Sequence, residues 1–104
     1  MNLRVLPKEE IKNQLKELPD WFYEDKQLKK VLQFSNFTEA TEFVAKLAPF
    51  CDAIDHHPNV SISYKTVEFL LSSHKLDAVI DADIQIAHEI ERLYSATQKK
   101  SSKV

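Results

Sequence analysis

The sequence predicts an α+β fold: an antiparallel sheet of about four strands with three helices packed on one face. Three observations carry this prediction. Segments with apolar residues at helical spacing and segments with alternating apolar residues follow one another in the order helix, two strands, helix, two strands, helix. The strands of each pair are separated by short turns, which favours antiparallel pairing over crossover connections. A chain of 104 residues that is 43% hydrophobic supplies one core and is too short for two.

Taken in order, Pro7 followed by Lys8, Glu9 and Glu10 reads as a helix start. Proline is tolerated in the first turn, and acids there meet the positive end of the helix dipole. Ile11, Leu15 and Leu18 give this helix one narrow apolar stripe, and Pro19 stops it. Trp21, Phe22 and Tyr23 form a first strand and Leu28 to Phe34 a second, around a turn at Asp25 and Lys26. Asn36 with Glu39 resembles a capping box ahead of Phe37, Ala40, Phe43, Val44, Leu47, Ala48 and Cys51, which recur at helical spacing. Pro49 falls inside this helix and is expected to kink it or to end its regular hydrogen bonding early. After Pro58, Val60, Ile62 and Tyr64 alternate with Ser61 and Ser63, Lys65 and Thr66 turn the chain, and Val67, Phe69 and Leu71 make the partner strand. The last helix is expected from about Asp81 or Asp83, with Ile86, Ala87, Ile90, Leu93 and Tyr94 facing inward. Residues 1–97 make one domain, and the polar, basic stretch 98–104 is expected to be disordered. The chain has no glycine, so positions that need a positive φ fall to other residues, with Asn59, Asp77 and Asp25 as candidates.

Composition removes several function classes. The 14 basic and 16 acidic residues nearly balance at −2, and only Arg4 and Arg92 are arginines, so no basic face for nucleic acid is expected. No apolar run reaches the length of a membrane-spanning helix, and the N-terminus does not read as a signal peptide. A single cysteine, Cys51, cannot form an internal disulfide and fits a reducing compartment. The expectation is a soluble, cytoplasmic protein.

Chemistry concentrates in one stretch. Three of the four histidines, His56, His57 and His74, lie there with Asp52, Asp55, Tyr64 and Asp83. Histidine both gives and takes a proton near neutral pH. His56 and His57 fall where the long helix ends, and Pro58 pushes His57 into an extended conformation. If the strands after Pro58 form a tight hairpin, His74 returns to the start of that hairpin and meets the other two. Asp52 stands one helical turn before His56 and is placed to orient it; Asp55 is placed to do the same for His57, or is simply a solvated acid. A metal site fits less well: adjacent histidines on extended chain point to opposite sides, and no histidine pair sits at i, i+4 on a helix. His88 reads as a surface residue, Cys51 as a small core residue, and Trp21 as a core or interface residue.

Asp52, His56-His57-Pro58, Tyr64, His74 and Asp83 together resemble the signature of the pterin-4a-carbinolamine dehydratase family. Trp21 ahead of the first strands, Phe34 and Phe37 at the helix entry, and Ile86, Ala87 and Ile90 in the final helix fit the wider pattern, over roughly residues 7 to 95. The resemblance implies a hydro-lyase that converts 4a-hydroxytetrahydropterin to quinonoid dihydropterin by histidine acid–base catalysis, with no metal or redox cofactor, in pterin cofactor recycling. It implies His56, His57 and His74 as the acid–base group, Asp52 and Asp55 as orienting acids, and Asp83 at the pocket edge. The flat, polar pterin would take hydrogen bonds from the Ser61–Tyr64 strand and from the His74 end. The resemblance further implies a homodimer or homotetramer. Some family members assist a transcription factor by stabilising its dimers, so a non-catalytic dimerisation or binding module is the alternative reading; three intact histidines favour the enzyme. Three departures from the family pattern stand out, the first being Pro49 inside the long helix two turns before His56. The loop after His74 lacks the glycine often found there, which predicts a different loop backbone, and Ala82 replaces a basic residue that often precedes the final aspartate.

Overall fold

The computed structural model describes residues 4–101, with side-chain surroundings described through Thr97. The described residues form three helices and one four-stranded antiparallel sheet, in the order α1 (Lys8–Leu15), β1 (Phe22–Glu24), β2 (Gln27–Gln33), α2 (Phe37–Ile54), β3 (Asn59–Ser63), β4 (Thr66–Leu71) and α3 (Asp81–Ser101). The fold is the α+β class that the alternation of helical and strand patterns predicts. Spatially the strands run β1-β2-β4-β3, so the two hairpins meet through β2 and β4 and leave β1 and β3 as edges. Leu28, Lys30 and Leu32 of β2 and Val67, Phe69 and Leu71 of β4 are buried, while Val31 and Gln33 between them are exposed. That period of two means one sheet face is covered and the other is open. The buried face joins Ile11 of α1, Phe43 and Leu47 of α2, and Ile86, Ala87 and Ile90 of α3 in a single core.

The turns answer the missing glycine. Asp20, Asp25, Lys26, Asp55, Tyr64 and Asp77 take positive φ values between 51° and 63°. Asp25 and Lys26 both do so, which is the type I′ geometry that matches strand twist in a two-residue hairpin. Asn59 does not; it opens β3 in extended conformation. Asp77 supplies the left-handed residue in the loop after His74, where Ser73 and Ala78 exchange backbone hydrogen bonds of 2.8 and 3.3 Å. The loop therefore closes tightly without glycine.

Pro49 does not end the long helix, which runs unbroken to Ile54. Proline removes the amide that would bond the carbonyl of Ala45, but both residues are on the exposed side of the helix, where solvent is available to a carbonyl that loses its partner. At the helix start the Asn36 side chain accepts from the Glu39 amide at 2.8 Å, and Glu39 accepts from the Ser35 amide at 3.0 Å, one residue earlier than in a strict capping box. The first helix ends at Leu15, before Pro19, with Leu18 buried in the turn that follows. The backbone of α3 continues as helix to Ser101, past the point where a disordered tail was expected; residues 102–104 lie outside those described.

Candidate active site

The end of α2 is shaped by its cap. Asp55 adopts the left-handed conformation, the Asp55 amide bonds the carbonyl of Asp52 at 3.2 Å, and the His56 amide bonds that of Cys51 at 3.1 Å. This is the Schellman closure, with aspartate where glycine is usual. It turns the chain sharply, so that His56 and His57 leave the helix at one end of the sheet and Pro58 leads directly into β3. Leu70 of β4 lies opposite Asn59, so the chain leaving β4 toward His74 passes along this same end. The N-terminus of α3 arrives there as well, because the Asp83 carboxylate contacts His56.

Each of the adjacent histidines is held by a carboxylate. His56 Nε2 lies 2.5 Å from Asp83 Oδ1, and His57 Nε2 lies 2.8 Å from Asp52 Oδ1. Toward an ionised carboxylate, which only accepts, each ring donates its Nε2–H, and Nδ1 takes no part in either contact. The sequence expectation had these partners otherwise. Asp52 reaches His57 rather than His56, because the left-handed turn at Asp55 swings the second ring back along the helix. Asp55 makes no side-chain hydrogen bond among the described residues; its backbone conformation is its contribution. Asp83 is not at a pocket edge. Its side chain is fully buried beneath His56, and Oδ2 accepts the Ile80 amide at 2.8 Å. Asp83 is the third residue of α3, so it also caps the helix by reaching back to the residue before it. Burial raises its pKa above the usual carboxylate value, against the opposing pull of the Ile80 amide and the His56 ring.

His74 is exposed and its ring makes no hydrogen bond among the described residues. Neighbouring Ser73 is buried, and its hydroxyl accepts the Leu76 amide at 3.1 Å, which fixes the loop that carries His74. The strand residues fall elsewhere. Ser61 sits in mid-β3 on the exposed side, and Tyr64 is at the hairpin tip, 65% exposed. The five residues of β3 lie between Pro58 and Tyr64 and hold them about 20 Å apart. Within one chain Tyr64 therefore does not join the histidines, because an extended strand carries it to the opposite end of the sheet. Ala82 is buried, so a basic residue at this position would project into the interior.

Beside His57 lies an apolar groove of about 160 Å³, walled by Val44, Leu47, Ala48 and Cys51 of α2 and by Pro58 and Val60. Sequence periodicity placed these helix residues in the core; Leu47 and Cys51 are buried there, but Ala48 is exposed and Val44 half-buried. The Cys51 thiol is pushed up to about 11 by burial, with the Asp52 carboxylate adding to the shift, so at neutral pH it is a protonated wall residue and no nucleophile. A larger groove, about 310 Å³, lies between α1 and β1 and contains no histidine. The titratable groups, not the larger volume, mark the candidate site. Among the described residues no cluster of three or more His, Cys, Asp or Glu side chains is arranged to hold a metal. Trp21 is in the core, with its Nε1 donating to Glu91 at 2.8 Å, and His88 is on the surface.

Comparison with known proteins bears on the family of the chain. Residues 4–93 match the family described as Pterin 4 alpha carbinolamine dehydratase. A protein of Sulfolobus acidocaldarius, provisionally named a pterin-4-alpha-carbinolamine dehydratase, is 40% identical over 88 residues, covering 85% of this chain and 97% of that one. A Mycobacterium leprae protein of the same provisional name is 34% identical over 91 residues, covering 88% and 97%. The crystal structure of a transcriptional coactivator/pterin dehydratase from Brucella melitensis superposes with a TM-score of 0.82 at 26% identity, covering 86% of this chain and 98% of that one. With its matched profile, its relatives and its fold in accord, the chain belongs to the pterin-4a-carbinolamine dehydratase family.

Proposed function

We propose that this protein dehydrates a 4a-hydroxytetrahydropterin to the quinonoid dihydropterin by histidine acid–base catalysis. The observation that carries the reading is the pair of adjacent imidazoles, each fixed through Nε2 on a carboxylate, with Nδ1 left for chemistry. The reaction needs two proton transfers. The bond from C4a to its hydroxyl breaks as that oxygen takes a proton and leaves as water, while N5 loses its proton and its electron pair forms the N5=C4a double bond. Atoms and charge balance without an oxidant or reductant.

An aspartate that accepts Nε2–H fixes the orientation of the ring and leaves Nδ1 to meet the substrate. His56 and His57 therefore suit a donor and an acceptor, and His74 adds a third imidazole at the same end of the sheet. Each is expected to contribute about 10²–10⁴-fold. Asp52 and Asp83 position the rings.

The test is dehydration of freshly generated 4a-hydroxytetrahydropterin, followed by ultraviolet absorbance, in the wild type and in folded His56→Ala, His57→Ala and His74→Ala variants. Acceleration by the wild type with large losses in the variants is the expected result. A folded wild type that does not exceed the spontaneous rate overturns the proposal.

A further inference from the structure

We infer that the groove between α1 and β1 is a docking site for a short extended segment of another protein, one that carries an apolar side chain flanked by acids. The segment pairs with the free edge of β1, sets its apolar side chain between helix and strand, and meets two lysines with its carboxylates. This inference stands independently of the dehydratase reading.

Three features converge on that occupant. The first is the groove itself, about 310 Å³, with Ile11 and Leu15 of α1 on one wall and Trp21 and Tyr23 on the other. Burying a large apolar side chain among such walls is favourable. The second is charge. Lys8 and Lys12 stand one helical turn apart along this groove, both exposed, and neither has an ion-pair partner among the described residues. Glu10, on the same helix, holds Arg4, and Glu91, which accepts from Trp21, holds Lys30. Glu24 lies on the open face of the sheet with Lys29, away from the groove. The groove therefore offers two cations to an incoming acid.

The third feature is the backbone of β1, an edge strand paired only with β2. Its two-residue turn at Asp25 and Lys26 makes Glu24 and Gln27 a hydrogen-bonded pair. By alternation Phe22 and Lys29 are another, and Tyr23 and Leu28 are not. The Tyr23 amide and carbonyl thus point away from β2, toward the free edge. An added antiparallel strand exchanges both bonds with Tyr23 through the residue opposite. That residue projects its side chain to the same face as Tyr23, which is the face of the groove. Side chains two positions away share this face, so acids there stand on the side of the lysines. A second copy of this chain fits poorly, because two β1 edges paired about Tyr23 would bring Lys8 and Lys12 of both copies together. The site is also at the opposite edge from β3, with the width of the sheet between it and His57.

The experiment titrates a fluorescein-labelled peptide, Thr-Glu-Thr-Phe-Thr-Glu-Thr blocked at both ends, against the full chain by fluorescence anisotropy. Amide chemical shifts of the protein locate the complex. Saturable binding that moves the amides of α1 and of Trp21, Tyr23 and Glu24 is expected, and added salt is expected to weaken it. Replacing the peptide phenylalanine by alanine, or combining Lys8→Glu with Lys12→Glu, should weaken binding by about tenfold or more. Methylation of the phenylalanine nitrogen, which removes a bond to Tyr23, should weaken it by a similar factor. Methylation of the preceding threonine nitrogen, which faces away from β1, should leave it unchanged. Circular dichroism verifies that the double lysine variant is folded, and the peptide changes test the inference on the wild type alone. No saturable binding, shifts confined to other elements, or equal tolerance of both methylations overturns the inference.

Discussion

His56 and His57 are neighbours in sequence and each binds an aspartate through Nε2, yet the two pairs occupy opposite environments. The His56–Asp83 pair is inside: Asp83 is fully buried and also ties down the Ile80 amide at the start of α3. The His57–Asp52 pair is outside, with 53% and 75% of the two side chains exposed. Water screens the outer pair and makes it weak, whereas the inner pair has given up hydration that only its partners replace. The same chemical contact is thus a structural joint in one case and an adjustable orienting bond in the other.

The largest effect expected from breaking this contrast is on stability. Asp83→Ala leaves the His56 ring and the Ile80 amide without an acceptor in a buried place, and should cost about 3 kcal/mol or more in urea unfolding. Asp52→Ala should cost less than about 1 kcal/mol, because water takes over from the lost carboxylate. Equal losses would show that the two environments do not differ as described. Turnover should separate them in a second way: Asp52→Ala is expected to lower kcat by about tenfold in a protein that remains folded, as an orienting role through His57 requires.

Titration sharpens the comparison further. The folded-state pKa of Asp83 is raised, foremost by burial. The native state therefore holds this proton more tightly than the unfolded chain. The resulting stabilisation is full below the ordinary carboxylate value of 3.8 and is lost as pH rises through the raised value. Asp83→Asn, which cannot ionise, should thus gain stability relative to wild type as pH increases from below 4 toward neutrality. A difference that stays flat with pH would remove the buried ionisation from the account. Glu10 and Glu89, lowered by their arginine partners, carry the opposite slope and are common to both proteins, so they cancel in this difference.

The smallest expected effect lies at the other end of β3. Tyr64 is an aromatic residue at φ 54°, a conformation that disfavours any side chain other than Asn, Asp or Gly by about 1 kcal/mol. Tyr64→Asn should raise stability by that order in thermal unfolding, with no rearrangement of either histidine pair.

Much of the fold was legible because the patterns were local. The Asn36 cap, the alternation from Val60 to Ile62 and the Asp25–Lys26 turn each declare themselves within a few residues, and each is found where it was expected. The place of His56 and His57 at the end of α2 was legible for the same reason, being set by one helix end and the proline that follows it. The pairing of acid with ring was not. It depends on the left-handed backbone at Asp55 and on how α3 docks, 27 residues later, so spacing along the helix pointed Asp52 at the wrong imidazole. Ala48 misled in a related way: helical periodicity identifies an apolar stripe, but it does not say where the sheet beneath that stripe ends. β3 is the last strand, and the stripe runs past it to form the groove.

A chain without glycine also has a stiffer unfolded state. Every residue keeps a Cβ, and each therefore explores less backbone space when the protein is denatured than glycine would. Six left-handed residues charge their strain to the folded form, yet the same side chains remove disorder from the form it competes with. Replacing Asp77 or Asp55 with glycine would relax the turn and loosen the denatured chain together, so the two changes oppose each other. The conformational penalty visible in the native turns is in this sense only half of the balance; the other half lies in conformations that the unfolded chain never visits.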